Sequence, residues 1–323
     1  MPIILDKIDK RILFELDKNA RIPETTLAKL VNRSKESVRY RIKQLQEKSI
    51  IHGFTIWIDP ARLGYSSAKL YLTLANKPSQ KKAFIEYVKK DKHLFWLGIA
   101  EGAWNAGLTF FVKSNAEFFQ VKNNLLSIFK DLILNSHTAS LVGVYIHEKT
   151  FLVPASTTWL SLFEQIELYQ LDEIEKKMLK LLFANARTSL VDLARLCNTT
   201  VDIIRHRLKR LEERKIIVRY TTQIDYSSLG YEFYKTFLYF HNLTKTDEHK
   251  LMEYTRQNPN IIHLIKQISP WDIELEIMCH NYQEYNQILA RLTQEFSAVI
   301  NKVETAILSE DYVFPAQKMI FEE

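Results

Sequence analysis

The chain has 323 residues, of which 46% are apolar and 25% charged, and its net charge is +6. At about 150 residues per domain this predicts about two domains, and the balance excludes collagen-like and disordered chains. Seven glycines and eight prolines leave little material for a glycine-rich phosphate cradle, and two cysteines, Cys197 and Cys279, exclude a disulfide framework.

From the N-terminus, MPIILDKIDKRI carries charges where a signal peptide needs its apolar segment. Apolar residues Leu5, Ile8, Ile12, Leu13 and Leu16 then lie on one face of a helix spanning 5–19. Thr25 or Thr26 is placed to cap a short second helix over 26–31, with Leu27 and Leu30 inward. Asn32–Arg33 reads as a tight turn. Ser34 caps a third helix, 35–48, with Val38, Ile42 and Leu45 inward. Phe54, Ile56 and Ile58 alternate with polar or outward residues and predict a strand. Further on, strands are predicted at 67–75, 93–100, 106–113 and 138–147, with helices at 79–90 and 115–131.

The same pattern then recurs. Leu5–Asp6 reappears as Leu171–Asp172, Asn19–Ala20–Arg21 as Asn185–Ala186–Arg187, and Leu63–Gly64–Tyr65 as Leu229–Gly230–Tyr231, all at an offset of 166 residues. Residues 5–74 and 171–240 share 28 identities in 70 positions without a gap. The second copy predicts strands near 234–241, 261–268, 272–279 and 300–309, and helices near 246–257 and 281–296. Trp159, Leu162, Phe163 and Ile166 in the connector suggest a short packed helix that tethers the chain against the sheets.

Charge sorts with the repeat. Residues 5–53 and 171–219 each hold 12 Lys/Arg and 7 Asp/Glu, or +5 apiece, which leaves −4 for the rest. Two basic helical modules on an acidic scaffold fit double-stranded DNA as the partner. In a helix-turn-helix the third helix enters the major groove. Its outward face here centres on Glu36, Tyr40 and Lys43, flanked by Ser37 and Arg39. Ser34, Lys35, Ser37, Arg39, Tyr40 and Lys43 are the candidate DNA-binding residues of the first copy. Those of the second are Thr200, Arg205, His206, Lys209 and Arg210. Val201 and Ile203 replace polar groups in the second copy's first turn. Thymine-methyl contact, a weaker module and a protein contact all stay open for them, and the two half-sites are expected to differ.

The run L-D-x-x-D/E-x-x-I/M-L, N-A-R, L-A, V/I-R-x-R-I/L-K-x-L, I-I, I-D and L-G-Y, at Leu5 to Tyr65 and again at Leu171 to Tyr231, resembles the Lrp/AsnC family of regulators. The resemblance implies an α+β fold: two winged helix-turn-helix modules, each followed by a ferredoxin-like βαββαβ effector and dimerisation domain. Expected boundaries are 1–54 and 55–150 for the first copy, 151–170 for the connector, and 171–220 and 221–316 for the second. It further implies an intramolecular pseudo-dimer, open to further assembly, that regulates transcription. It places an effector cleft at the turn between the middle strands, here Gly102, Trp104 and Asn105 in one copy and Trp271 and Asp272 in the other. A small-molecule effector is therefore a candidate second partner. Core packing is the competing role for the two tryptophans.

Two rival classes remain. The siroheme decarboxylases resemble this fold, but only His93 and His263 lie near the middle strands, at non-equivalent positions, and no catalytic or metal-binding constellation is readable. The other rival is an interaction scaffold that has lost DNA binding. The expectation is a cytoplasmic regulator without membrane contact, catalysis, cofactor or metal. The best apolar stretch, 125–134, is interrupted by Lys130 and Asp131 and falls short of the roughly 20 residues of a membrane span.

Overall fold

The computed structural model describes residues 2–155, 158–164 and 167–314. The first copy runs α1 (Lys7–Lys18), α2 (Glu24–Leu30), α3 (Lys35–Glu47), β1 (Ile51–Ile58), β2 (Ser66–Leu74), α4 (Pro78–Val88), β3 (Leu94–Gly102), β4 (Ala106–Val112), α5 (Asn115–Ile128) and β5 (Ile133–His147). After β6 (Trp159–Leu162) the second copy runs α6 (Glu173–Ala184), α7 (Leu190–Leu196), α8 (Val201–Glu213), β7 (Ile217–Ile224), β8 (Glu232–Phe240), α9 (Lys245–Gln257), β9 (Ile261–Ile268), β10 (Ile273–Cys279), α10 (Tyr282–Glu295) and β11 (Ile300–Val313). The α+β class and the repeated βαββαβ order follow the sequence reading.

The elements form two compact units that do not follow the order of the copies. One holds both helical modules with β1 and β7, together with Glu148–Thr158. The other holds both sets of sheet strands with Trp159–Leu168.

In the helical unit, α1 starts at Lys7 because Asp6 caps it, its carboxylate accepting the amides of Ile8 and Asp9. α6 carries a full capping box between Asp172 and Glu175. The inward stripes Val38, Ile42, Leu45 and Ile204, Leu208, Leu211 are buried as their spacing predicts. Neither Thr25 nor Thr26 caps the second helix. α2 begins earlier, at Glu24, on Pro23, which needs no amide partner and fixes the backbone for the first turn. The turns before α3 and α8 rest on Asn32 and Asn198 at φ of 50° and 52°, a region asparagine tolerates well. β1 and β7 pair antiparallel and join the modules.

In the sheet unit the strand order is β2-β4-β3-β11-β8-β10-β9-β5, and β5 pairs back with β2. Among the described residues eight strands therefore close on themselves, with β6 appended along β5. β5 and β11 outrun the lengths their alternation suggests, because each serves two neighbours in succession. β5 pairs first with β2 and then with β9 of the other copy, and β11 pairs first with β8 and then with β3. The connector is not a helix at its apolar stretch. Trp159–Leu162 form β6, since an open edge of β5 offers Val144–His147 backbone partners that a helix could not use. Ile166 lies outside the described residues.

Candidate nucleic-acid interface

Ser34 Oγ accepts the amide of Ser37 and fixes the start of α3; Thr200 Oγ1 accepts the amide of Ile203 and does the same for α8. These caps point the first-turn amides outward, where a phosphate can meet them. Lys35, Arg39, Tyr40 and Lys43 are exposed and Ser37 is half-buried. Lys43 keeps 72% of its side chain open, with Glu47 3.6 Å away. Arg39 is held by Glu24 at 2.7 Å, and that guanidinium keeps the Glu24 carboxyl below its ordinary range. Arg39, Tyr40 and Lys43 are thus exposed on α3, with Arg39 restrained by an acid.

The second face repeats the first with changes. Lys209 is again 72% open beside Glu213, and His206 is exposed. Arg205 pairs with Asp202 at 2.5 Å, within its own helix. Arg210 turns toward α6, where Glu175 holds it at 2.5 Å and Asp172 lies 3.6 Å away. Ile203 is 42% exposed where the first copy has Ser37. Arg41 and its counterpart Arg207 bridge back to the first helices, Arg41 to Asp6 and Asp9 and Arg207 to Asp172. They brace the modules.

The repeated Asn–Ala–Arg motif proves to be the joint between the modules, a role its recurrence alone did not reveal. Asn19 and Asn185 each accept the amide two residues on, at 2.9 Å. That turn aims the Ala20 amide at the carbonyl of Tyr220 and the Ala186 amide at that of Phe54. Arg21 lies 5.4 Å over the Tyr220 ring and Arg187 4.9 Å over the Phe54 ring. Arg21 also donates to the carbonyls of Ala186 and Thr188, at 2.6 and 2.9 Å.

The residues expected at an effector cleft are gathered in the sheet unit as packed hairpins. A Cβ on Gly102, at φ +118°, would stand 2.3 Å from the Thr305 carbonyl oxygen, so glycine is required by the approach of β11. Trp104 and Trp271 are buried, their rings 5.4 and 5.0 Å from that of Tyr71. Their indole N–H groups have no partner among the described residues. Asn105 Oδ1 accepts the amide of Leu74, and Asp272 Oδ2 accepts that of Phe240, the equivalent residue. Both side chains supply an oxygen to a strand end, which is why asparagine serves where the other copy has an acid. Of the histidines, His93 sits between Asp91 and Glu117, and His263 meets Glu276. His147, which no motif singles out, is buried beside His263 in the pairing of β5 with β9.

Residues 5–52 match the winged helix-turn-helix DNA-binding family, and residues 171–212 the AsnC-type helix-turn-helix domain. An uncharacterised HTH-type transcriptional regulator of Pyrococcus horikoshii is 34% identical over 107 residues, which is 32% of this chain and 71% of that protein. The chain belongs to the Lrp/AsnC family. The HTH-type transcriptional regulator LrpA of Pyrococcus abyssi is 40% identical over 89 residues, 28% of this chain; the match spans 60% of the regulator's own length. The siroheme decarboxylase NirDL has a similar fold across 98% of both chains, with a TM-score of 0.66 at 14% identity. The fold is thus matched over nearly the whole chain, and the two helical modules are each matched by a family model.

Among the described residues no helix is long and apolar enough to cross a membrane, and no group of three or more His, Cys, Asp or Glu side chains is placed to hold a metal ion.

Proposed function

We propose that the protein is a sequence-specific, double-stranded DNA-binding transcription regulator of the cytoplasm, and that one chain acts as a pseudo-dimer with no catalytic step. The observation that carries this reading is the helical unit itself: two capped helices with exposed cationic faces, joined through β1 and β7 by a near-symmetric set of contacts. Ser34, Lys35, Ser37, Arg39, Tyr40 and Lys43 read or grip one half-site; Thr200, Arg205, His206 and Lys209 grip the other, with Arg210 shared between DNA and the α6 carboxylates. The half-sites differ, because Ile203 offers an apolar contact suited to a thymine methyl where Ser37 offers a hydroxyl. Readers at 1–54 and 171–220, sheet domains at 55–150 and 221–316 and a connector at 151–170 are the proposed functional division. A small-molecule effector would act at the hairpins of Gly102, Trp104, Asn105, Trp271 and Asp272; the two unpartnered indole N–H groups support that part of the reading.

The test is selection of bound duplexes from a random pool. The reading expects two unlike half-sites separated by about one helical turn or a multiple, bound with an affinity that falls steeply with salt. A perfect palindrome would contradict the unlike half-sites, and no enrichment would contradict sequence-specific recognition.

A further inference from the structure

A charge removed from water is tolerated only beside its opposite, so a buried layer of charges constrains what can be packed against it. The closed sheet holds such a layer. Lys69 on β2 and Lys235 on β8 are both buried, and they are equivalent residues at the 166-residue offset. Lys69 Nζ meets Glu274 Oε2 at 2.8 Å, and the Tyr71 hydroxyl donates to the same oxygen at 2.5 Å. Lys235 Nζ meets Glu274 Oε1 at 2.7 Å and also bonds Glu276. Gln267 donates to Glu274 at 3.3 Å, and His263 lies against Glu276.

The lysines come one from each copy, but both carboxylates come from the second. The register shows what the first copy has instead. Lys235 is opposite Glu276 and Phe237 opposite Glu274 in the pairing of β8 with β10. In the pairing of β2 with β4, Lys69 is opposite Thr109 and Tyr71 opposite Gly107. Thr109 and Gly107 therefore occupy the places of Glu276 and Glu274. Glycine at 107 is also needed for space, since a Cβ there would meet the Trp96 ring at 2.8 Å. Trp96 in turn donates to Asp311 of the second copy at 2.6 Å.

We propose that this layer makes the two copies complementary partners that reject their own kind. Lys69 and Tyr71 of one copy fit only a sheet face carrying Glu274, the face of the other, where Glu276 balances Lys235. Two first copies would enclose two ammonium groups with no carboxylate at these positions. Two second copies would enclose four carboxylates against two ammonium groups. Only the mixed pair balances, two against two. The inference concerns assembly and does not depend on DNA binding, so its failure leaves the regulator reading standing.

The test begins with the whole chain carrying a protease site between residues 155 and 158. The folded protein is cut, denatured, refolded and weighed as intact complexes by native mass spectrometry. Mixed pairs should exceed like pairs by about a hundredfold or more, the discrimination expected of an uncompensated buried charge. In the exchange variant T109E/E276T each copy brings one lysine and one carboxylate, and like pairs should appear. A near-statistical mixture in the unaltered protein, or mixed pairs alone in the exchange variant, would overturn the proposal. Thermal unfolding of the uncut chain supplies a check that needs no reassembly. E274Q/E276Q should lower the Tm, and K69M/K235M/E274Q/E276Q should restore most of it. A quadruple variant no more stable than the double would overturn the claim that charge balance is what the layer enforces.

Discussion

The backbone amide of Ala20 donates to the carbonyl of Tyr220 at 2.9 Å, a bond made between the first helical module and the strand that leaves the second. Its counterpart runs from Ala186 to Phe54, also at 2.9 Å. Each module is thus completed by the other's strand, and the spacing of the two reading helices within this unit is built into the joint.

The joint can be loosened at one side chain. Arg21→Ala removes two bonds to carbonyls and a cation over the Tyr220 ring. Charge-assisted bonds of this kind contribute about 1.5–3 kcal/mol where they are shielded. Calorimetry should show a lower melting temperature for the helical unit, and the variant should tolerate altered half-site spacing. Unchanged melting would show that the strand pairing alone sets the geometry.

The open cations of the two faces should respond alike to loss of charge, and a cation held by an acid should respond differently. Lys43→Ala and Lys209→Ala each remove an open cation, and each should reduce the salt slope of DNA binding by about one. Glu24→Gln should strengthen binding, because it frees Arg39 and removes an acid from the DNA-facing side. Weaker binding by Glu24→Gln would mean that Arg39 must be held in place to work.

The sheet unit should lose stability in mild acid. His147 is buried, neither ring nitrogen has a partner among the described residues, and burial lowers its pKa from 6.5 to about 4, with His263 and Arg256 adding to the effect. The folded form then resists the proton that the unfolded chain accepts. Stability is full above about pH 6.5 and falls as the pH drops toward 4, by up to about 3 kcal/mol. His147→Gln should flatten that part of the profile in chemical denaturation. An equally steep profile in the variant would assign the loss to other groups.

A tetrapyrrole should find no specific site in the closed sheet. Tyr71, Trp96, Trp104, Phe237 and Trp271 pack together in its interior, and Gly98 and Gly107 leave only the room that the Trp96 ring takes up. Titration with haem or sirohaem should give no saturable spectral change. Saturable binding would reopen the enzyme reading.

Much of this was legible from the residues because the repeat made each element visible twice. The inward stripes of α3 and α8, the caps at Ser34 and Thr200, and the βαββαβ order all follow from local spacing. What was not legible depends on partners distant in sequence. β6 looked helical because its apolar residues say nothing about the free edge of β5. The hold of Glu175 on Arg210 joins residues 35 positions apart, which no local spacing shows. Lys69 alternates with apolar neighbours in SAKLYLTLA, a pattern that would give it to solvent on an open sheet. In a closed sheet that face has no solvent, and the lysine is buried with Glu274 instead.

One chain placing two unlike readers on one duplex should leave a divided footprint in hydroxyl-radical cleavage of the selected duplex. The intact protein should protect two half-sites. R39A/K43A should lose protection at one of them and R205A/K209A at the other. If both variants lost the same half-site, or if the intact protein protected one half-site alone, one chain would not be placing two readers on the duplex.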